Sequence, residues 1–461
     1  MRYNRLIAAI SAICIASGAI IPVSFYDLPY SPCITASAGG LRGTVTEGNL
    51  SFGVFDEYVV VKGCDKSAEG EVIIPSEING LPVTEIGTKA FSGCEGMTSV
   101  VIPDTITVIG AYAFKNCTSL TSITLPESVV TIQPDAFAEC TSLTDVSLPD
   151  GLSSLGNYAF ENCTGLTKIN IPGSVTYINT YVFNGCTSLA EINIPESVTE
   201  IGWFAFKDTK WLEDRRKEDP FVVVNGILVD GQTCKGEITI PDNIHSVGAC
   251  AFNGCTELTK VIIPETVSDI GMNAFSECPN LTEVILPDKL SVIGQRAFEN
   301  CTGLKSIVIP DSVTEMEWFA FAYCYDLESI TIPSGLKSIP RCSFIDCNKL
   351  TDVYYQGTEE QWTELKANSN PEGNEQLFET AIVHFGSANT TNNADKYGDA
   401  NVDGKINVSD AVAVLQYIAN AQKYALTEQG LINADCDGVA GITGGDAIMI
   451  QKMDAGLVDI P

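Results

Sequence analysis

The chain has 461 residues, of which 45% are hydrophobic, so it is long enough for two or three domains with sizeable cores. Its 58 acidic and 26 basic residues give a net charge of −32, which repels phosphate backbones and argues against nucleic-acid binding. The sequence contains two histidines, His245 and His384, so chemistry built on several histidines is nearly excluded.

Residues 1–38 are predicted to be a signal peptide that directs export. Arg2 and Arg5 precede an apolar run, and the small residues of Ala36–Ala38 are typical of a cleavage site. A membrane anchor is the alternative, because the apolar run from Leu6 to Val23 is long for a signal peptide. No other stretch is apolar enough to span a bilayer, so we expect a secreted protein without membrane insertion after signal removal.

A 23-residue repeat fills the middle of the chain. Phenylalanines recur with this step, as at Phe91 and Phe114, and prolines such as Pro103 and Pro126 keep the same period. One turn near Val229 keeps the length but lacks the phenylalanine. Each unit has an alternating strand that ends at proline, a second extended piece and a phenylalanine turn. Because one unit buries little surface, the units are predicted to stack into a mainly β solenoid with a continuous core.

The pattern LTxIxIPxSVTxIGxxAFxxC resembles the BspA-type leucine-rich repeats of bacterial surface proteins. The resemblance implies a right-handed leucine-rich-repeat solenoid that is used for binding and not for catalysis. It covers residues 83–352, between an N-terminal cap at 39–82 and a C-terminal cap at 353–385. The first strand is expected at Glu71–Pro75, and the stretch from Trp211 to Pro241 resembles the irregular turn found inside such arrays.

The 17 cysteines include ten that occupy the same repeat position. Export would permit disulfides, but side chains at one repeat position point the same way, so we predict a ladder of small buried thiols. Metal binding is not expected, because CxxC pairs are missing. Cys234, Cys250 and Cys342 lie outside the ladder and could pair. The ladder consists of Cys94, Cys117, Cys140, Cys163, Cys186, Cys255, Cys278, Cys301, Cys324 and Cys347.

Aromatic residues form a second stripe two positions before several of the repeat phenylalanines. Stacked coils would align them along one edge, where they could form a track for a polysaccharide or a protein ligand. Partly buried packing at the turn corners is the alternative. The stripe and the residues beside it are Tyr112, Tyr158, Tyr181, Trp203, Phe204, Trp318 and Phe319.

A different duplication, with a shift of 36 residues, follows a small and polar linker at 386–396. Its first loop has oxygen-bearing residues at the positions of a calcium loop, with Gly404 at the sharp turn. In the second loop Val439 and Ala440 replace an oxygen ligand and this glycine, so we expect two calcium ions, the second bound more weakly. The candidate ligands are Asp399, Asn401, Asp403, Lys405 through its carbonyl, Asn407, Asp410, Asp435, Asp437, Thr443 and Asp446.

The paired loop–helix units at 397–461 resemble a type I dockerin. The resemblance implies calcium-dependent docking to a cohesin module of a scaffoldin, in the cellulosome of an anaerobic plant-fibre-degrading bacterium. The halves differ at every position that maps to the partner surface of such dockerins, which predicts that one half dominates binding. These positions are Val408, Ser409, Leu415, Gln416, Gly444, Gly445, Gln451 and Lys452.

Together these patterns predict a secreted, non-catalytic cellulosomal protein. The dockerin would hold it at the cell surface through the scaffoldin, while the solenoid presents a surface to an unknown protein or polysaccharide. Sequence motifs of hydrolases and phosphate loops are missing. Two alternatives remain open. One is a carbohydrate-active enzyme with an unrecognised carboxylate pair in the repeats, and the other is a structural spacer without a ligand of its own.

Overall fold

The computed structural model describes residues 40–385, two helices at 408–419 and 444–454, and the single positions 434 and 442. The predicted signal peptide at 1–38 and the predicted linker at 386–396 lie outside the described residues. Among the helices that are described, none is long and apolar enough to cross a membrane.

Two columns of short strands run through the repeats, and paired neighbours within each column are parallel. The first column contains β4 (Gly70–Ile73), β7 (Met97–Val101), β9 (Ser122–Thr124), β11 (Asp145–Ser147), β13 (Lys168–Asn170), β15 (Glu191–Asn193), β19 (Gly236–Thr239), β21 (Leu258–Ile262), β23 (Glu283–Ile285), β25 (Ser306–Val308) and β27 (Ser329–Ile332). The second contains β6 (Leu81–Ile86), β8 (Val108–Ile109), β10 (Thr131–Ile132), β12 (Ser154–Leu155), β14 (Tyr177–Ile178), β16 (Glu200–Ile201), β18 (Ile227–Asp230), β20 (Ser246–Val247), β22 (Asp269–Ile270), β24 (Val292–Ile293) and β26 (Glu315–Met316).

Strand register follows the repeat length. In the first column Ile123 pairs with Val146, which lies 23 residues further along the chain. Threonines that precede these strands add a side-chain hydrogen bond between neighbouring coils. The Thr144 hydroxyl, for example, donates to the carbonyl oxygen of Thr121 at 3.1 Å. This side-chain hydrogen bond recurs at the same repeat position in successive coils, so it reinforces the strand register that the backbone hydrogen bonds set.

The phenylalanine turns also join neighbouring coils. Two residues of each regular turn adopt a left-handed conformation, as Tyr158 (φ 59°) and Asn162 (φ 56°) do. This conformation costs a non-glycine residue about 1 kcal/mol. In return, the amides of Tyr158, Phe160 and Asn162 point along the solenoid and donate to carbonyls of the next coil at 2.8–3.0 Å. The turn thus satisfies its buried amides without forming a strand.

The repeat phenylalanines stack as an aromatic spine inside the solenoid. The rings of Phe114 and Phe137 are 5.2 Å apart and nearly parallel, and Phe137 and Phe160 repeat this arrangement. Each ring is fully buried, so it contributes both apolar burial and an offset stacking contact. The first spine runs through Phe91, Phe114, Phe137, Phe160, Phe183 and Phe206, and the second through Phe252, Phe275, Phe298, Phe321 and Phe344.

The predicted cysteine ladder is confirmed in the described part of the chain. Each inner thiol donates to the carbonyl of a phenylalanine in the preceding coil, as Cys140 does to Phe114 at 3.1 Å. Burial raises the pKa of the Cys301 thiol to about 12, so such a thiol stays protonated and inert. Cys234, Cys250 and Cys342 are also free, buried thiols, so the pairing considered for them does not occur.

At the irregular coil the buried residues of the solenoid fall into two clusters, and partly buried residues, such as Val229 against the first and Val223 against the second, pack across the boundary. One core ends at Val224 and the next begins at Leu228. Helix α1 (Lys210–Glu218) follows the N-cap residue Thr209. It places the ring centroid of Trp211 4.8 Å from that of Phe206, and this contact ends the first spine. After α1, strand β17 (Val222–Val224) pairs antiparallel with β18 and leads into the second core.

Both ends of the solenoid are covered by elements that depart from the repeat. Strands β1 (Gly43–Glu47), β2 (Leu50–Val54) and β3 (Val59–Cys64) form an antiparallel sheet before β4, so the prediction that Glu71–Pro75 holds the first strand is wrong. Strand β5 (Glu77–Ile78) forms a hairpin with β6. At the C-terminal end are β28 (Asp352–Tyr355), α2 (Glu359–Asn368), a π-helical turn (Gln376–Thr380) and β29 (Ile382–Phe385).

Two further helices, α3 (Val408–Ala419) and α4 (Gly444–Asp454), pack against each other near the C-terminus. Their buried residues include Ala411 and Val414 on α3, and Ala447 and Ile450 on α4. Each α4 residue of this set lies 36 residues after its α3 counterpart, so the small core has the same duplication as the sequence.

Replacing Gly231 with alanine is expected to lower the free energy of unfolding by about 1–3 kcal/mol. A Cβ at this position would overlap the ring of Phe252, the buried residue with which the second spine begins. Gly151→Ala is the matched control, because its Cβ would meet only the carbonyl of Glu127 at 3.5 Å. Urea unfolding followed by circular dichroism measures both variants, and equal midpoints would show that the irregular coil tolerates the larger side chain.

Candidate binding surfaces

Neither histidine forms a catalytic pair with a nucleophile in the described contacts. Nε2 of His245 lies 3.0 Å from the carbonyl oxygen of Asn225. Nε2 of His384 lies 2.8 Å from the Asp352 carboxylate, and its ring stacks on Tyr354. In the part of the chain that the structure describes, no cluster of three or more histidines, cysteines or acidic residues could hold a metal ion. Both histidines therefore serve local packing.

The aromatic stripe occupies the left-handed corner of the phenylalanine turn, where Tyr112, Tyr181 and Phe319 have φ between 56° and 61°. In the coils that carry an aromatic ring at this corner, the aromatic residue is half-buried. The aromatic residues are interrupted by other side chains, so the stripe is not continuous. From the first to the last coil, the left-handed corner holds Lys89, Tyr112, Asp135, Tyr158, Tyr181, Phe204, Cys250, Asn273, Arg296, Phe319 and Cys342.

The largest aromatic cluster consists of Tyr158, Tyr181 and Phe204 in three consecutive coils. The rings of Tyr158 and Tyr181 are stacked with centroids 5.0 Å apart, and Phe204 follows at 5.5 Å with a tilt of 47°. The ammonium of Lys207 lies 4.8 Å from the Phe204 ring centroid and covers a face of that ring. Burial, together with the nearby carboxylates of Glu161 and Asp135, raises the pKa of Tyr158, so its phenol stays protonated.

Two other rings of the stripe, Tyr112 and Phe319, have cations over a face. The ammonium groups of Lys89 and Lys115 each lie 5.5 Å from the centroid of Tyr112. Lys115 is held there by Asp135 at 3.2 Å and by Glu139 at 3.3 Å. In the second half of the solenoid, the guanidinium of Arg296 lies 4.7 Å from the Phe319 ring.

Ring or cation contacts thus occupy at least one face of Tyr112, Tyr158, Tyr181, Phe204 and Phe319. Trp318 is the most open member of the stripe, with 38% of its surface exposed, whereas Trp203 is half-buried. This geometry favours corner packing over an open aromatic platform. A ligand-binding role for these residues stays a prediction.

A small cleft, with room for about 30 Å³, lies beside the aromatic cluster at the irregular coil. Its lining includes Phe204, Lys207, Cys250 and an ion pair between Arg216 and Asp230. Two guanidinium nitrogens of Arg216 lie 2.8 Å and 2.6 Å from the two carboxylate oxygens of Asp230, a bidentate arrangement that raises the pKa of Arg216. We did not predict this pair, because only folding brings α1 next to β18.

Most of the predicted calcium ligands lie outside the described residues. These ligands are Asp399, Asn401, Asp403, Lys405, Asn407, Asp435, Asp437 and Thr443. The two closing acids, Asp410 and Asp446, are the third residues of α3 and α4. The duplication therefore places equivalent carboxylate residues in equivalent first turns.

The predicted partner residues belong to α3 and α4. Val408, Ser409, Gly444 and Gly445 are the first two residues of each helix. Leu415 is 47% exposed, and Gln416, Gln451 and Lys452 are exposed as well. Sequence analysis did not single out three other exposed apolar residues, although their helical spacing was a usable signal. They are Val412 and Ile418 on α3 and Ile448 on α4.

The repeat region matches a family model described as "BspA type Leucine rich repeat region (6 copies)" over residues 84–213 and 232–351. These two stretches cover more than half of the chain. The chain therefore belongs to the BspA-type leucine-rich repeat family. The gap between the matched stretches contains most of α1 and all of β17 and β18, the irregular coil of the structure.

Among curated proteins, a xylanase/beta-glucanase of Ruminococcus flavefaciens is 44% identical over 66 residues, which are 12% of this chain and 8% of that protein. The chain thus spans a small part of that relative. A leucine-rich cell surface protein of Faecalibacterium prausnitzii is 27% identical, with 70% of this chain and 97% of that chain covered and a TM-score of 0.42. A leucine-rich repeat protein of Bacteroides ovatus is 25% identical, with 74% and 100% covered and a TM-score of 0.37.

Tyr181→Ala is expected to lower the free energy of unfolding by about 1–2 kcal/mol, because it removes the central ring of the cluster. Tyr181→Phe keeps both stacking contacts and is expected to change it by less than about 0.5 kcal/mol. Urea unfolding of the full chain measures both. If Tyr181→Ala were as stable as the parent, the cluster would not be a packing element.

Proposed function

We propose that the protein is secreted, non-catalytic and built from two binding devices. The C-terminal module is a dockerin that binds, with calcium, to a cohesin of a cellulosomal scaffoldin. The solenoid presents a surface to a protein ligand and is held at the cell surface through that scaffoldin. The observation that carries the anchoring role is the duplication of loop, helix and buried residues in the last 65 residues.

Structural equivalence within the module supports this proposal. Helices α3 and α4 start 36 residues apart, at Val408 and Gly444. Ala411 and Ala447 are buried at equivalent positions, whereas Val412 and Ile448 are exposed at equivalent positions. Two loop–helix units with matching inner and outer faces are what a tandem calcium module requires.

The chemistry of the donor set fits calcium. Carboxylates and carbonyls supply hard oxygen ligands, and Asp399, Asn401 and Asp403 would hold the ion from the first loop. Asp410 would close this site from the first turn of α3, where a negative charge also interacts favourably with the helix dipole. Bound calcium would tie each loop to its helix and add its binding free energy to the stability of the module.

Similarity to the Ruminococcus flavefaciens enzyme is consistent with such a module. The matched stretch of 66 residues is comparable in length with residues 397–461 and is much shorter than the solenoid. A docking module that is shared between a polysaccharide-degrading enzyme and a non-catalytic protein would bring both to one scaffold.

The exposed apolar residues of α3 favour this helix as the half that dominates cohesin binding. Val412, Leu415 and Ile418 follow one another at intervals of three residues, and each is between 45% and 47% exposed. On α4 the equivalent positions hold one apolar residue, Ile448, followed by Gln451 and Asp454. Because burial of apolar surface is the main driving force of most protein–protein association, α3 would bind and α4 would contribute less.

For the solenoid, the covered aromatic faces favour a protein ligand over a polysaccharide. A pyranose that stacks on an aromatic residue needs a free ring face, whereas Tyr181 lies between the rings of Tyr158 and Phe204, and Lys207 lies over the Phe204 ring. Aromatic residues are enriched in protein–protein interfaces relative to the rest of a protein surface.

Calorimetric titration of the full chain against a panel of cohesin modules tests the anchoring role. Binding is expected in calcium and is expected to disappear in chelator. Leu415→Ala should weaken binding at least about 10-fold, because it removes an exposed apolar anchor. Ile448→Ala, its control on α4, should weaken binding less than about threefold. No binding to any cohesin in calcium would overturn the dockerin proposal, and equal losses would overturn the dominance of α3.

The non-catalytic role has its own test. The purified chain is expected to release no reducing sugar from xylan or β-glucan above the level of a buffer control. The reason is that both histidines are engaged in local contacts and the solenoid's sites are shallow. Sustained release that survives further purification would instead favour a concealed carboxylate pair among the repeats.

A further inference from the structure

Two hairpins of the solenoid share the same tip sequence, an asparagine followed by a glycine. Asn79–Gly80 joins β5 to β6, and Asn225–Gly226 joins β17 to β18. Both residues of each tip have a positive φ, between 48° and 79°, as a two-residue type I′ turn requires. An asparagine before glycine is also prone to lose its side-chain amide, because glycine has no side chain to shield its backbone nitrogen from the preceding residue.

The tip at Asn225–Gly226 is held by its surroundings. The side-chain amide of Asn225 donates to the carbonyl oxygens of Pro195 and Val198, each at 2.9 Å. A Cβ on Gly226 would lie 2.4 Å from the His245 ring, so this ring covers the glycine. The Asn225 side chain therefore cannot swing toward the Gly226 nitrogen without breaking two hydrogen bonds.

The tip at Asn79–Gly80 has no such restraint. Both residues are exposed, and a Cβ on Gly80 would meet no atom within 4 Å apart from its own chain neighbours. In the described part of the chain, neither the side chain of Asn79 nor the backbone amide of Gly80 has a hydrogen-bond partner. The two groups that must meet for the amide to be lost are therefore free to move.

Two further asparagine–glycine pairs, Asn184–Gly185 and Asn253–Gly254, lie in phenylalanine turns. Their glycine amides each donate at 2.9 Å to a carbonyl oxygen of the next coil. A glycine nitrogen in such a bond cannot turn toward the preceding side chain while the coils stay stacked. Among the asparagine–glycine pairs of the described residues, both reacting groups are thus free in the β5–β6 hairpin alone.

We propose that Asn79–Gly80 is a self-modification site, where the tip of the β5–β6 hairpin converts to aspartate and isoaspartate without an enzyme. The backbone nitrogen of Gly80 gives its proton to hydroxide and attacks Cγ of Asn79. The Cγ–Nδ2 bond breaks, ammonia leaves and a succinimide ring closes. Water then opens one of the two ring carbonyls, which gives aspartate, or isoaspartate with its main chain through Cγ. The sum consumes one water and releases one ammonia.

Both products change the hairpin. Each adds a negative charge two residues after Glu77, and isoaspartate also lengthens the main chain by one carbon. A turn of this altered length no longer fits the pairing of Ile78 with Leu81. Because Ile78 is buried in the first core, we expect the modification to loosen the N-terminal end of the solenoid.

Peptide mapping of the full chain tests the proposal. The folded protein is incubated in mildly alkaline buffer, and samples taken over time are digested briefly with trypsin. Trypsin puts Asn79 in peptide 67–89 and Asn225 in peptide 218–235, and neither peptide has a second asparagine. We expect the aspartate and isoaspartate forms of peptide 67–89, identified by mass and separated by chromatography, to accumulate at least about 10-fold faster than those of peptide 218–235.

The chain unfolded in urea is the matched reference, because both tips then lose their surroundings and should react at rates within about threefold of each other. A folded chain in which peptide 67–89 is modified no faster than peptide 218–235 would overturn the proposal. Asn79→Ser should remove the modification and keep its urea unfolding midpoint during incubation, whereas the parent's midpoint should fall. A constant midpoint in a modified parent chain would overturn the expected loosening.

Discussion

The contact between one coil and the next determines the rest of this structure. Phenylalanine rings stack at 4.9–6.1 Å along each spine, close to the spacing of about 4.8 Å between hydrogen-bonded strands. Ring stacking, strand pairing and turn amides therefore require the same rise per coil. A coil that gained or lost a residue would break all three contacts at once, which explains why the chain keeps a 23-residue step even where the phenylalanine is missing.

The irregular coil shows what happens when this contact is interrupted. Trp211 ends one spine against Phe206, and Gly231 leaves space for the ring of Phe252, with which the other spine begins. The partly buried ion pair between Arg216 and Asp230 then joins α1 to the following coil. The same interruption creates the cleft beside the largest aromatic cluster, so the surface of the solenoid is least regular where its core divides.

The two proposed binding devices are stabilised by different means. Stacked coils bury a large apolar core, and extra coils extend it without any cofactor. The C-terminal helices bury few side chains, such as Val414 and Ile450, and a module of this size usually needs a metal or another staple to fold. Calcium would therefore control docking without altering the solenoid.

The sequence by itself determined the solenoid, its period, the buried cysteine ladder and the position of the irregular coil, because each depends on contacts that repeat at a constant step. It also determined the 36-residue duplication, and the positions of α3 and α4 match this spacing. Only the tertiary structure decided which aromatic rings stack on one another, how the core divides and which groups meet at the irregular coil. Those features join residues such as Arg216 and Asp230, whose separation follows no period, so their proximity arises only when the chain folds.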